Sequence, residues 1–122
     1  MIKWPRISIV IPNFNGGDTL GETLQNLLYQ NYPNLEVIVV DGGSTDNSIY
    51  VIKKFEDTIT WWISEKDKGV YDAVNKGFQQ STGDILAWIG SGDLYYPHAL
   101  ITVGEVMRTL PQVQWLTTLN TA

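Results

Sequence analysis

The chain of 122 residues contains no cysteine. Disulfides and thiolate metal sites are excluded, and the redox compartment stays open. Basic residues are scarce: 8 Lys and Arg against 13 Asp and Glu give a net charge of −5. Too few cations are present to neutralise phosphates broadly, so a general nucleic-acid or anionic-membrane surface is excluded, while a local phosphate site is not. Long apolar runs are missing too. In "MIKWPRISIVIP" the run Ile7 to Ile11 is too short for a signal peptide or a membrane span, so a soluble cytoplasmic chain with no transmembrane segment is expected. The single histidine, His98, follows Pro97 near a helix start and is expected on the surface rather than in catalysis. Neither G-x-G-x-x-G nor a Walker sequence occurs, which removes the usual glycine-loop routes to a phosphate.

What is present is an apolar pattern of one kind. Hydrophobic residues make up 43% of the chain, enough for one globular domain with one core. "ISIVI" (7–11) and "EVIVV" (36–40) are β-branched runs apolar on both faces, as in strands covered on both sides. "ITWWI" (59–63) and "ILAWI" (85–89) read as a third strand and a buried central fourth. "VQWLT" (113–117) reads as a fifth strand. Between them lie helical stripes: Leu20, Leu24, Leu27 and Leu28; Ile49, Ile52 and Phe55; Val70, Val74 and Phe78; Leu100, Val103, Met107 and Leu110. Thr19 with Glu22 has the form of a capping box, Ser44 or Asp46 suits the start of the second helix, and Pro97 suits the first turn of the last. Strands alternating with helices predict an α/β fold: an open parallel sheet with helices on both faces. A final strand without a covering helix suggests a single domain over 1–122 that stops before a second half.

In such sheets ligands bind beyond the carboxyl ends of the strands. Four polar segments fall there: "PNFN" (12–15), "DGGSTD" (41–46), "SEKDKG" (64–69) and "GSGD" (90–93). One Asx- and glycine-rich loop is usually a plain turn, but four on one rim describe a polar crevice holding Asp41, Asp46, Asp67 and Asp93. Crowded carboxylates with only Lys68 and Lys76 nearby repel a bare polyphosphate. A divalent cation reverses that sign, because hard cations take oxygen ligands and Mg²⁺ is often shared between one or two carboxylates and a substrate phosphate.

Two stretches, "SIVIPNFNGGDTLGETLQNLLYQNYPNLEVIVVDGGSTDNS" and "ISEKDKGVYDAVNKGFQQSTGDILAWIGSGDLYYP", resemble the donor-binding half of a family 2 glycosyltransferase of the GT-A fold, over about Ile7 to Leu110. The resemblance implies transfer of a sugar from a nucleotide-diphospho-sugar, a UDP- or GDP-sugar, to a saccharide or lipid-linked acceptor hydroxyl with inversion. It maps the nucleoside cup to Pro12, Asn13, Phe14 and Asn15, and a further nucleoside contact to Asp41, Gly42 and Gly43. It maps the donor pocket to Asp67, Asp72, Asn75 and Lys76, and the diphosphate loop to Ser91 and Gly92, with Asp93 bridging Mg²⁺ or Mn²⁺ to the diphosphate. This chain departs from the family pattern at three places: Phe14 stands where tyrosine is common, Gly42 where many relatives have a second acid, and Ser91-Gly92-Asp93 where a D-x-D type cluster is usual. The general base is expected beyond residue 122, so the catalytic residue is unassigned. Production of surface polysaccharide in bacteria, at the inner face of the membrane, also fits the resemblance. A receiver-type signalling domain would need an acidic pair after the first strand and a lysine after the last, where this chain has "PNFN" and "TLNTA". The remaining rival is a noncatalytic α/β nucleotide-binding or interaction module. Trp61, Trp62 and Trp115 are expected in the core, or exposed and driving homo-oligomer formation if a second half is missing.

Overall fold

The apolar runs around Ile9 and Val39 have no polar face, and the fold covers both of their sides. A computed structural model describes residues 2–116. In chain order the elements are β1 (Ile7–Asn13), α1 (Gly17–Tyr29), β2 (Leu35–Asp41), α2 (Ser48–Lys54), β3 (Trp61–Ser64), α3 (Val70–Gln80), β4 (Ile85–Trp88) and α4 (Ala99–Thr109). The strands form one parallel sheet in the order β3-β2-β1-β4, with Ile7 opposite Leu35 and Asn13 opposite Asp41. Side chains alternate between two cores. Ile7, Ile9, Ile11, Val37 and Val39 pack with Leu20, Leu24 and Leu27 of α1, Ile52 of α2 and Leu100 of α4. Val10, Ile38 and Val40 pack with Ala73 of α3 on the other face. α3 lies close: a Cβ at Gly77 would stand 2.4 Å from a methyl of Val10, so a larger residue at 77 would lift the helix off the sheet.

Several local expectations need correction. β4 is an edge strand of the described sheet, not a central one, and Leu86 and Trp88 are 47% and 43% exposed. The reason is that α3 packs over β1 and β2 and leaves the same face of β4 bare. Val113 to Leu116 form no strand, and Trp115 is 92% exposed, so it is no core residue; residue 117 lies outside the described range. Trp61 and Trp62 are half-buried. Val70 and Leu28 are exposed although their helices have the apolar spacing. No Thr19–Glu22 capping box forms, because α1 begins at Gly17 and Thr19 already lies within its first turn. Pro97 precedes α4 and is outside it; His98, exposed and left-handed at φ 65°, stands at the helix boundary.

The end of the sheet opposite the polar rim is closed by one buried carboxylate. Glu36 accepts from Ser8 Oγ (2.6 Å), Thr82 N–H (2.8 Å), Thr82 Oγ1 (2.9 Å) and Arg6 Nη2 (3.2 Å). These bonds join β1 and β2 to the turn that leads into β4. Burial alone would raise the Glu36 pKa, but the hydrogen bonds from Ser8, Thr82 and Arg6 outweigh it and hold it at about 2. A depressed carboxylate stabilises the fold fully above its ordinary value and loses that contribution as pH falls towards the folded value. The shift corresponds to about 3 kcal/mol. We expect the stability of the native chain to fall between about pH 4.5 and pH 2. Glu36→Gln should be less stable at neutral pH and flatter across that window, by chemical denaturation at each pH. Parallel curves for the two proteins would remove Glu36 from this role.

Candidate functional site

All four strands run parallel, so "PNFN", "DGGSTD", "SEKDKG" and "GSGD" emerge from the same end of the sheet. The centre of that rim is a pair of buried side chains, Asn13 and Asp41, facing each other at the ends of β1 and β2. Asn13 Nδ2 donates to Asp41 Oδ1 (2.8 Å) and Ser48 Oγ (2.9 Å), while its Oδ1 accepts from Ser91 Oγ (2.6 Å). Asp41 Oδ1 also accepts from Ser44 Oγ (2.7 Å), and Oδ2 accepts from Gly43 N–H (3.1 Å), Ser44 N–H (2.9 Å) and Ser64 Oγ (2.8 Å). The Asp41 carboxylate, with no exposed surface, therefore holds five donors. Burial pushes its pKa up, and the bonds from Ser44, Asn13 and Ser64 overcome that and keep it below the ordinary carboxylate range.

Asp46 and Asn15 brace the next layer. Asp46 Oδ1 accepts from Ser48 N–H and Oδ2 from Gly17 N–H, both at 2.9 Å. One carboxylate thus serves the first N–H of both α1 and α2, although Asn47 is the cap residue of α2. The Ser48 bonds pull the Asp46 pKa down. Asn15, left-handed at φ 54°, accepts from Thr45 N–H at 2.8 Å, and its own N–H donates to Ser44 Oγ at 2.8 Å. Pro12 and Gly42 are buried beside this network, and Gly43 is half-buried. Phe14, by contrast, points away from the core and is 65% exposed.

"GSGD" forms a type II turn: Asp93 N–H donates to Gly90 O at 3.0 Å, and Gly92 has φ 95°. A Cβ at position 92 would also meet Thr19 Oγ1 at 3.0 Å. Backbone conformation and contact both explain the glycine at position 92. Thr23 of α1 fixes the turn, accepting from Gly92 N–H (2.7 Å) and donating to Asp93 O (3.0 Å). The Asp93 carboxylate is exposed, folds back over Gly90, and has no side-chain partner among the described residues. No cluster of three or more His, Cys, Asp or Glu side chains fit for a metal exists among the described residues. One free carboxylate suits a hard cation only if other oxygens arrive with a ligand.

α3 contributes differently. Asp72 Oδ2 accepts from Lys68 N–H at 2.9 Å and so closes the helix start. Lys76 Nζ lies 3.2 Å from Glu65 and 3.7 Å from Asp72, and the Glu65 bond raises its pKa. Asn75 is exposed. Asp67 is half-buried and accepts from Gly69 N–H at 3.0 Å. Ser44, Ser48, Ser64 and Thr23 were not singled out as site residues from the sequence. The only signal for them was the density of short hydroxyl residues at strand ends and helix starts. Asp41→Ala should leave five donors unmatched and cost about 3 kcal/mol in urea unfolding, with faster hydrogen exchange in all four rim loops. A loss below about 1 kcal/mol would show that the rim holds without it.

Comparison with known proteins gives one consistent result. The family model described as glycosyl transferase family 2 matches residues 8–113. An uncharacterized glycosyltransferase of Rickettsia typhi is 34% identical over 96 residues, covering 79% of this chain and 30% of the relative. One from Nostoc sp. is 33% identical over 107 residues, covering 85% and 33%. The chain spans about a third of the length of these curated relatives. Among solved structures, S. aureus TarS 1-349 in complex with UDP-GlcNAc superposes with a TM-score of 0.78 at 22% identity, over 85% of this chain and 31% of that one. The mannosyltransferase PcManGT from Pyrobaculum calidifontis, in complex with GDP-Man and Mn²⁺, gives 0.76 at 25% identity, over 85% and 33%.

Proposed function

Because the chain belongs to glycosyl transferase family 2, as the match over residues 8–113 shows, we propose that it is the donor-binding part of a transferase. It would move a sugar from a nucleotide-diphospho-sugar to an acceptor hydroxyl with inversion. The observation that carries this reading is the rim: four loops tied together by Asn13 and Asp41, with the Asp93 carboxylate left free at one end and the Phe14 ring exposed near the middle. Nucleotide-sugars in two neighbours of the same fold support it.

The residues divide by what their atoms can reach. Phe14 offers an open ring face on which a base or ribose can pack. Asn13, Asp41 and Ser91 have their side-chain polar atoms engaged with one another, so their role is to hold the loops at a fixed spacing. Asp72 and Lys76 shape the wall beside α3. Asp93 is the residue for a divalent cation, Mg²⁺ or Mn²⁺, which when bound with the donor would offset charge building on the departing diphosphate. The turn keeps Asp93 in place: Gly92 supplies the bend and Thr23 pins its backbone to α1. The general base and the acceptor site are assigned to the part of the longer relatives that this chain does not cover.

Isothermal titration with UDP and GDP, with and without Mn²⁺, tests the reading. Nucleotide should bind, and Asp93→Ala should remove the metal-dependent gain while leaving the circular dichroism spectrum unchanged. Phe14→Ala should weaken nucleotide binding about tenfold with or without metal, the size of one lost stacking contact. No binding of either nucleotide under any condition would overturn the proposal. A metal-dependent gain that survives Asp93→Ala would return Asp93 to a turn residue. The rival, a noncatalytic interaction module, draws on the exposed Trp88 and Trp115 and would then be favoured.

A further inference from the structure

We propose that Asn26 and Gln30 of α1 are positioning residues for the Asp93 carboxylate, so that metal-dependent donor binding is set in part from the polar face of that helix; this rests on the nucleotide-sugar reading above. The starting observation is how the chain after β4 is held. It leaves the sheet after Trp88 and becomes regular again only where α4 begins at Ala99. Among the described residues, the backbone bonds made within this segment are two local turns. Asp93 N–H donates to Gly90 O at 3.0 Å, and Ala99 N–H donates to Tyr96 O at 3.1 Å.

The second observation is that α1 supplies what a neighbouring strand would. Thr23 Oγ1 accepts from Gly92 N–H (2.7 Å) and donates to Asp93 O (3.0 Å). Asn26 Oδ1 accepts from Tyr95 N–H (2.9 Å), and its Nδ2 donates to Tyr95 O (3.0 Å). Gln30 Nε2 donates to Tyr96 O (3.0 Å), and its Oε1 accepts from Leu100 N–H (3.1 Å). Each of these side chains therefore holds one backbone donor and one backbone acceptor of the segment.

The spacing makes the three side chains one surface. Positions 23, 26 and 30 follow the i, i+3, i+7 pattern of a single helix face. Thr19, one turn earlier, belongs to the same face and lies against Gly92. Seven residues of helix rise about 10 Å. Three steps of chain, from Asp93 to Tyr96, span at most about 10 Å, so the rungs can stay in step.

The third observation is burial. Thr23 and Gln30 are buried, so a bond lost there leaves backbone groups unmatched rather than returned to water. Gln30 also does for α4 what its own boundary residue does not. His98 makes no side-chain cap, and Leu100 N–H in the first turn is met by Gln30 instead. The segment is thus fixed at Thr23 beside Asp93, at Asn26 two residues on, and at the buried Leu100. Asp93 itself projects from this segment with an exposed carboxylate. An anchored backbone removes most of the ordering cost of closing that carboxylate on a cation and a diphosphate.

Titration calorimetry of the whole chain with UDP, with and without Mn²⁺, tests this. Asn26→Leu and Gln30→Leu should each shrink the Mn²⁺-dependent gain in UDP affinity about tenfold, the size of two lost hydrogen bonds. Affinity for UDP without metal should stay unchanged. Asn26→Asp, which keeps the bond from Tyr95 N–H and loses the one to Tyr95 O, should fall between Asn26→Leu and the native chain. Ile52→Val, a core change in α2, should lower stability and leave the gain intact. A merely structural role for Asn26 and Gln30 would make their variants behave like Ile52→Val. Hydrogen exchange on the native chain provides a test that needs no variant: the Gly92 and Tyr95 amides should exchange at least about tenfold slower than in an unfolded chain. Fast exchange at both, or an undiminished metal-dependent gain in both leucine variants, overturns the proposal while the nucleotide-sugar reading stands. UDP binding with no gain from Mn²⁺ also overturns it. If no nucleotide binds, both fall.

Discussion

Asn13 and Asp41 end neighbouring parallel strands in direct register, and the hydrogen bond between them carries the rest of the rim. Through Asn13 the pair reaches Ser48 at the start of α2 and Ser91 beyond β4; through Asp41 it reaches Ser64 at the end of β3. Each of the four strand ends thus contributes a polar atom to one network centred on the buried Asn13 and Asp41. Such a network is stable only when nearly every donor finds an acceptor, because an unmatched buried polar group costs more than a made bond gains. That condition makes the loops rigid together. It also determines which rim side chains the network leaves out, chiefly Phe14, Asp67 and Asp93.

The same logic explains the glycines at positions 42 and 92. Gly92 is demanded by a left-handed backbone in a turn that rests on Thr19 and Thr23. Gly42 leaves space that Asp67 fills. At each of these positions a specific packing arrangement requires the glycine. At the opposite end of the sheet, Glu36 performs a purely structural version of the Asp41 role, linking β1 and β2 to the turn before β4.

Much of the fold was legible in the sequence because burial on both faces leaves a strong local mark. Runs such as "ISIVI" and "EVIVV" admit little besides covered parallel strands, and the leucine spacing around Leu24 admits little besides a helix. The readings that failed depend on neighbours. "ILAWI" has the same composition as a central strand, yet α3 covers β1 and β2 and leaves Trp88 bare. Val113 to Leu116 have strand-like residues but form no strand. Thr19 and Glu22 have capping spacing, but the donor at the start of α1 goes instead to Asp46, 29 residues along the chain.

By itself the sequence determined the alternation of strands and helices, the parallel sheet it implies, and the gathering of four polar loops at one rim, since each follows from periodicity and from the direction of parallel strands. Only the tertiary structure decided the division of labour among the residues of that rim. Asp41, Asp46, Asp67 and Asp93 are the same kind of residue in similar loops. They differ in how many donors the fold brings to each, and that number is a property of contacts between segments far apart in the chain.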